Sequence, residues 1–220
     1  MSNTDADLIE ETIAFVKDKL TEAEGGHDWF HIQRVFNNTL LIAKDEHVDI
    51  LIVSLAALLH DIADSKFHDG DETIGPKMAR EFLTSLKVDQ NTVNHVVKII
   101  QNMSFKNSLE GKSVFDSKEL QVVQDADRLD AIGAIGIARA FNFGGFKNRA
   151  LYDPQIQPKI NMSKEAYKKS QAPTINHFYE KLLLLKDQMH TETGKKLAEE
   201  RHQFMLDFLA QFYAEWNGSR

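Results

Sequence analysis

An all-α fold is predicted for this chain by two features of the sequence. Apolar residues recur at helical spacing along most of its length, and only four prolines occur, at positions 76, 154, 158 and 173, three of them in one window. The first periodic segment, Asp5 to Glu22, carries Leu8, Ile9, Ile13, Phe15, Val16 and Leu20 on one side and stops before Gly25-Gly26. Asp28 then stands where an N-cap belongs, and Phe30, Val35, Leu40, Leu41 and Ile42 extend a second helix to Glu46. Trp29 and Phe30 read as core aromatics.

The third segment, Asp49 to Ala63, is apolar nearly all round, the composition of a central buried helix. Thr73 to Leu86 and Gln90 to Met103 supply two more helical patterns, and Ser104 to Val114 reads as a loop. Asp116 and Glu119 form a capping-box pattern for a long helix spanning Ser117 to Phe143. Residues 144–173, rich in Gly, Pro, Asn and Lys, read as an irregular insertion. Helix resumes from Thr174 to Trp216 as two segments meeting near Thr191 to Gly194, with Trp216 packing on the last of them.

Composition narrows the function. A chain of 220 residues that is 42% hydrophobic can bury a full core as one domain with a C-terminal extension. Its formal charge of −7 disfavours generic nucleic-acid binding, which requires many neutralised phosphates. The absence of cysteine excludes disulfides, thiol nucleophiles and thiolate metal sites. Met1 to Asp7 is polar and acidic, unlike a signal peptide, so a cytoplasmic location is expected. The longest apolar run, Ile50 to Leu59, is half the roughly 20 residues a membrane helix needs, so no membrane span is expected.

His31, the adjacent pair His60 and Asp61, and Asp127 offer two imidazoles and two carboxylates, a donor set suited to a borderline or hard divalent cation. Taken singly, each position has a plainer reading. His31, in the first turn of an amphipathic helix, suits a hydrogen-bonded core histidine, and His60 suits capping of a helix C-terminus. On one straight helix, Asp127 shares the apolar face of Leu120, Val123, Ala134 and Phe141, with Asp130 a turn further on. Carboxylates on such a face need a cation, a donor or a metal. Asp125 points to the polar side, within reach of Arg128. The wheel therefore selects Asp127 as the ligand. His27 precedes the Asp28 cap and shares no face with His31.

The order His31, His60-Asp61, Asp127, set in Gly26-His27-Asp28-Trp29-Phe30-His31, Leu58-Leu59-His60-Asp61-Ile62-Ala63-Asp64 and Asp125-Ala126-Asp127-Arg128-Leu129-Asp130, resembles the HD superfamily of metal-dependent phosphohydrolases. Within it, the chain is similar to the small bacterial HD-domain nucleotide pyrophosphohydrolases. The resemblance implies an HD-type helical core over residues 27–143. It implies one divalent ion on His31, His60, Asp61 and Asp127, with manganese preferred and magnesium, iron, cobalt, nickel or zinc as alternatives. Asp64 matches the first of two acidic residues of the alarmone hydrolases. Ser65 stands in place of the second, which argues against alarmone hydrolysis. Asp64 is thus the expected proton acceptor for the attacking water. No Gly-Tyr-Pro signature follows the core, against a cyclic-dinucleotide phosphodiesterase.

Cations near the ligands or in the insertion are candidate phosphate contacts: Lys66, Arg128, Lys147 and Arg149, with Arg34 and Lys159 further candidates. Tyr152 is a candidate base-stacking residue. The expected activity is hydrolysis of a nucleoside triphosphate to monophosphate and pyrophosphate. A nucleotide phosphomonoesterase and a catalytically silent metal- or nucleotide-binding module are the alternatives. The expected partner is a small-molecule nucleotide, and a homodimer is one reading of the assembly.

Overall fold

The structure, a computed structural model, describes residues 4–21, 28–63, 71, 73–103, 115–160, 162 and 170–219. Among these residues every regular element is helical, in agreement with the predicted all-α class. Among the described residues, no helix is long and apolar enough to cross a membrane. The chain groups into two compact units, residues 1–127 and 128–220.

The first unit contains α1 (Asp5–Lys19), α2 (Trp29–Ala43), α3 (Ile50–Leu59), α4 (Ile74–Ser85), α5 (Gln90–Gln101) and most of α6 (Lys118–Asp130). Helix α3 is its centre and packs against α1, α2 and α5. Its eight residues from Ile52 to Leu59 are all buried, as an all-round apolar composition requires. Side-chain caps mark the starts of α1, α2, α3 and α5, whereas Thr73 at the start of α4 makes no such bond. Thr4 and Asp7 form a capping box on α1. Asp28 accepts from the His31 amide at 3.0 Å, Asp49 from Ile52 at 3.0 Å, and Asp89 from Asn91 and Thr92.

Three expectations are corrected in this unit. Helix α3 ends at Leu59, so His60 and Asp61 lie in the turn that closes it. The cap of α6 is Ser117, whose hydroxyl accepts from Leu120 at 3.1 Å; Glu119 instead accepts from the Asp49 amide at 3.3 Å and faces His95 at 3.5 Å. Phe30 is not a core residue but is 63% exposed, because the buried face of α2 runs through His31, Ile32, Val35 and Asn38.

The second unit holds the end of α6, then α7 (Gly133–Phe146), α8 (Thr174–Glu180), a 3₁₀ segment (Leu182–Gln188) and α9 (Glu192–Trp216). The long helix expected from Ser117 to Phe143 is therefore two helices. The break is at Gly133, whose φ of +73° is left-handed, and a Cβ there would stand 3.0 Å from the Arg201 Cβ and Cγ. Around the break Arg201 donates to the Leu129 carbonyl at 2.5 Å, and Arg139 pairs with the buried Asp130 carboxylate, the counter-charge such a carboxylate needs.

The glycine pair at 144 and 145 does not interrupt helix but forms its last turn. Asn148, at φ 52°, ends it, with the Arg149 amide returning to the Gly144 carbonyl at 2.8 Å. A Cβ on Gly144 would fall 2.1 Å from Thr174 Oγ1, so α7 and α8 approach closely. The described part of the insertion is tied to α8: Thr174 and Ile175 amides donate to Ala150 and Leu151, and Asn176 donates to Ile156. Tyr152 packs edge-on against Phe212, Tyr213 and Trp216, an aromatic cluster on α9. His177 is held near pH 4 in its titration, first by burial and then by Lys181 and Arg149.

Two outcomes follow for stability. Gly133→Ala should lower the unfolding free energy in urea by about 1–2 kcal/mol or more, the cost of a left-handed L-residue plus the contact with Arg201. Because His177 titrates below its ordinary value, the unfolded chain binds a proton that the folded chain refuses, so stability present above about pH 6.5 is lost as pH falls toward 4. A His177→Gln variant should lack this component, on the order of 3 kcal/mol, when urea midpoints at pH 7 and pH 4 are compared.

Candidate metal centre

The Asp28 cap fixes the first turn of α2 and with it His31, whose side chain is 4% exposed. The His60 ring folds back along its own helix, with Nδ1 2.9 Å from the Ala57 carbonyl. A carbonyl only accepts, so Nδ1 carries the proton and the Nε2 lone pair faces outward. Capping and ligation, which position alone left as alternatives for His60, do not compete, because they call on different ring nitrogens.

Asp127 brings the third donor. Its Oδ1 lies 3.6 Å from His31 Nε2 and 4.0 Å from His60 Nε2. The imidazole rings stand 5.5 Å apart at 65°. One ligand atom from each of His31, His60 and Asp127 falls within 4.8 Å of the others, a group able to hold a metal ion. These separations exceed hydrogen-bond range. Donors around one ion with bonds of about 2.1 Å lie roughly 3–3.5 Å apart, so a small contraction suffices. Both imidazoles are nearly inaccessible while the Asp127 side chain is 43% exposed, so the cluster is closed on its nitrogen side and open on its oxygen side.

Asp61, half-buried, is not part of that group. It follows His60 in an α-like turn, where successive side chains diverge by about 100°. His27, Asp64 and Lys66 lie outside the described residues.

Asp127, not Asp125, is the carboxylate that faces the two imidazoles, but not for the reason given by the wheel. Asp125 is wholly buried and Asp127 is half-exposed. The break at Gly133 removes Ala134 and Phe141 from the stripe, and the buried arc of α6 is then centred on Ala126, with Asp125 inside it and Asp127 at its margin. A margin is where a carboxylate can face two buried imidazoles and keep contact with solvent.

Among the candidate phosphate contacts, Arg128 is half-buried on α6. Lys147 is exposed, with its ammonium 4.9 Å over the Phe146 ring. Arg149 donates to the Ser170 carbonyl at 2.7 Å, a bond internal to the second unit. The sequence did not single out Asn38, whose Nδ2 donates to the Ala126 carbonyl at 3.2 Å. Its signal was a polar residue seven places after His31, on the same buried face.

The HD domain family profile matches residues 29–132. YpgQ of Bacillus subtilis is 41% identical over 206 residues, covering 92% of this chain and 90% of that protein. Among solved structures, an HD-superfamily hydrolase from Bacillus thuringiensis superposes with a TM-score of 0.78 at 43% identity, over 97% of this chain and 99% of that one. The crystal structure of YpgQ in complex with ADP gives 0.76 at 37% identity, covering 97% of each chain.

Asp127→Ala should weaken Mn²⁺ binding in calorimetry by more than the roughly 10–100-fold expected from outer-shell losses, with helical circular dichroism kept. Asp125→Ala should leave that affinity intact but destabilise the fold by about 1–3 kcal/mol, as loss of a buried hydrogen-bonding group does.

Proposed function

The chain belongs to the HD superfamily, and on that premise we propose that it is a divalent-metal-dependent phosphohydrolase cleaving nucleoside triphosphates to monophosphate and pyrophosphate. The observation that carries this reading is the meeting of His31, His60 and Asp127 with the carboxylate side open. These three would hold the ion, with Asp61 as a fourth ligand by resemblance. A divalent ion there supplies Lewis acidity, polarising a phosphoryl oxygen and acidifying water.

The chain's own residues set the terms of that chemistry. His60 is oriented by the Ala57 carbonyl, so it presents Nε2 without having to reorganise. Two neutral imidazoles and one carboxylate cancel only half of a divalent charge, which leaves the site attractive to phosphate. Two buried rings behind the donors confine substrate to the Asp127 side. Asp64 is assigned the role of proton acceptor, and Lys66 and Arg128 that of phosphate contacts, on the resemblance. Lys147 and Arg149 come after them, since each is engaged with its own unit: Lys147 over Phe146, and Arg149 at Ser170. The nucleotide class draws support from the ADP complex of YpgQ.

The test is a screen of protein loaded with manganese, magnesium, cobalt or nickel against nucleoside tri-, di- and monophosphates, with product identification. Pyrophosphate released from a triphosphate, and lost in Asp127→Ala, is the expected result. Orthophosphate released from monophosphates would move the activity to a phosphomonoesterase, and nucleotide binding without cleavage of any of them would make the chain a binding module.

A further inference from the structure

We propose that Asn38 is a positioning residue for the metal centre, setting the rotation of α6 so that the Asp127 carboxylate meets the two imidazoles. The proposal rests on the reading of His31, His60 and Asp127 as metal ligands. Asn38 lies two turns after His31 on the buried face of α2 and is 9% exposed. Its Nδ2 reaches the carbonyl of Ala126, the residue immediately before Asp127. One helix therefore delivers both a ligand and, from the same stripe, a hydrogen bond to the backbone that carries the next ligand.

The need for such a bond follows from the packing of α6. Val122, Val123, Ala126 and Leu129 are fully buried, but apolar contacts are non-directional and tolerate small rotations about the helix axis. A carboxylate oxygen some 6 Å from that axis moves by about 1 Å for a rotation of about 10°. A shift of that size separates donors that can share one ion from donors that cannot, and coordination tolerates about 0.5 Å. A hydrogen bond from a side-chain amide to a main-chain carbonyl is directional and, in buried surroundings, strong. At Ala126 it acts one residue from the atom whose position matters.

Thr39 supplies the matched control. It is the next residue of α2, is fully buried, and its hydroxyl has no hydrogen-bond partner among the described residues. Replacing it perturbs the same helix without touching the Ala126 carbonyl.

The experiment uses the full chain, freed of metal, in four variants: Asn38→Leu, which keeps the branched outline and removes the donor; Asn38→Ala; Thr39→Val; and Asp127→Ala. Each is titrated with Mn²⁺ by calorimetry and with Co²⁺ by visible absorption, alongside its thermal midpoint. Both Asn38 variants should bind Mn²⁺ about tenfold or more weakly and show an altered Co²⁺ spectrum, while Thr39→Val binds as the wild type does. Wild-type affinity and spectrum in both Asn38 variants, with binding lost in Asp127→Ala, would overturn the positioning role and leave the metal site standing. Equal weakening in Thr39→Val would also overturn it, as general loosening of α2. Undiminished binding in Asp127→Ala would instead remove the site itself.

Discussion

Everything in the first unit depends on the burial of α3. A helix with apolar residues on every side has no favourable place except the middle of other helices, and α1, α2 and α5 supply those walls. Burying Leu55, Leu58 and Leu59 at about 25 cal/mol per Å² of apolar surface outweighs any preference of the flanking turns. The helix must nevertheless stop, and it stops at a polar turn. His60 Nδ1 donates to a carbonyl of the last turn, and its Nε2 stands 4.0 Å from the Asp127 carboxylate.

Three carboxylates within six residues of α6 have three different fates. Asp130 is buried against Arg139, beside the Arg201 bond that closes the helix. Asp125 is buried inside the arc. Asp127, at its edge, keeps contact with solvent while facing two shielded imidazoles. What separates them is angular position on one helix, where a step of about 100° changes the dielectric surroundings more than any change of residue type would.

Much of this was legible in sequence, and the misreadings share one cause. Helical period, the Asp28 cap and the apolar α3 were all visible because each is a local property. The order His31, His60, Asp127 was visible through its resemblance to the HD pattern, and the structure brings these three side chains together. The wheel around Asp127 and the length of the insertion were misread at glycines. Gly133 breaks a helix whose pattern runs on, and Gly144-Gly145 continues one where a break was expected, because close approach to Thr174, not chain flexibility, explains Gly144. Whether a glycine serves conformation or proximity depends on residues far away in the chain. Phe30 was misread for a related reason: beside a buried His31, its own exposure is set by the rotation of α2.

The distance along the chain between the donors has a consequence for how the centre comes into being. His31 and Asp127 are nearly a hundred residues apart, and the imidazoles and carboxylate meet only once α2, α3 and α6 have docked. No partial chain emerging from the ribosome presents the triad, and no local peptide fragment could be pulled into shape by an ion. With these three as ligands, assembly of the helices would come first and metallation second, and an ion that recognises only the finished arrangement would latch the native state, adding stability in proportion to the logarithm of its free concentration.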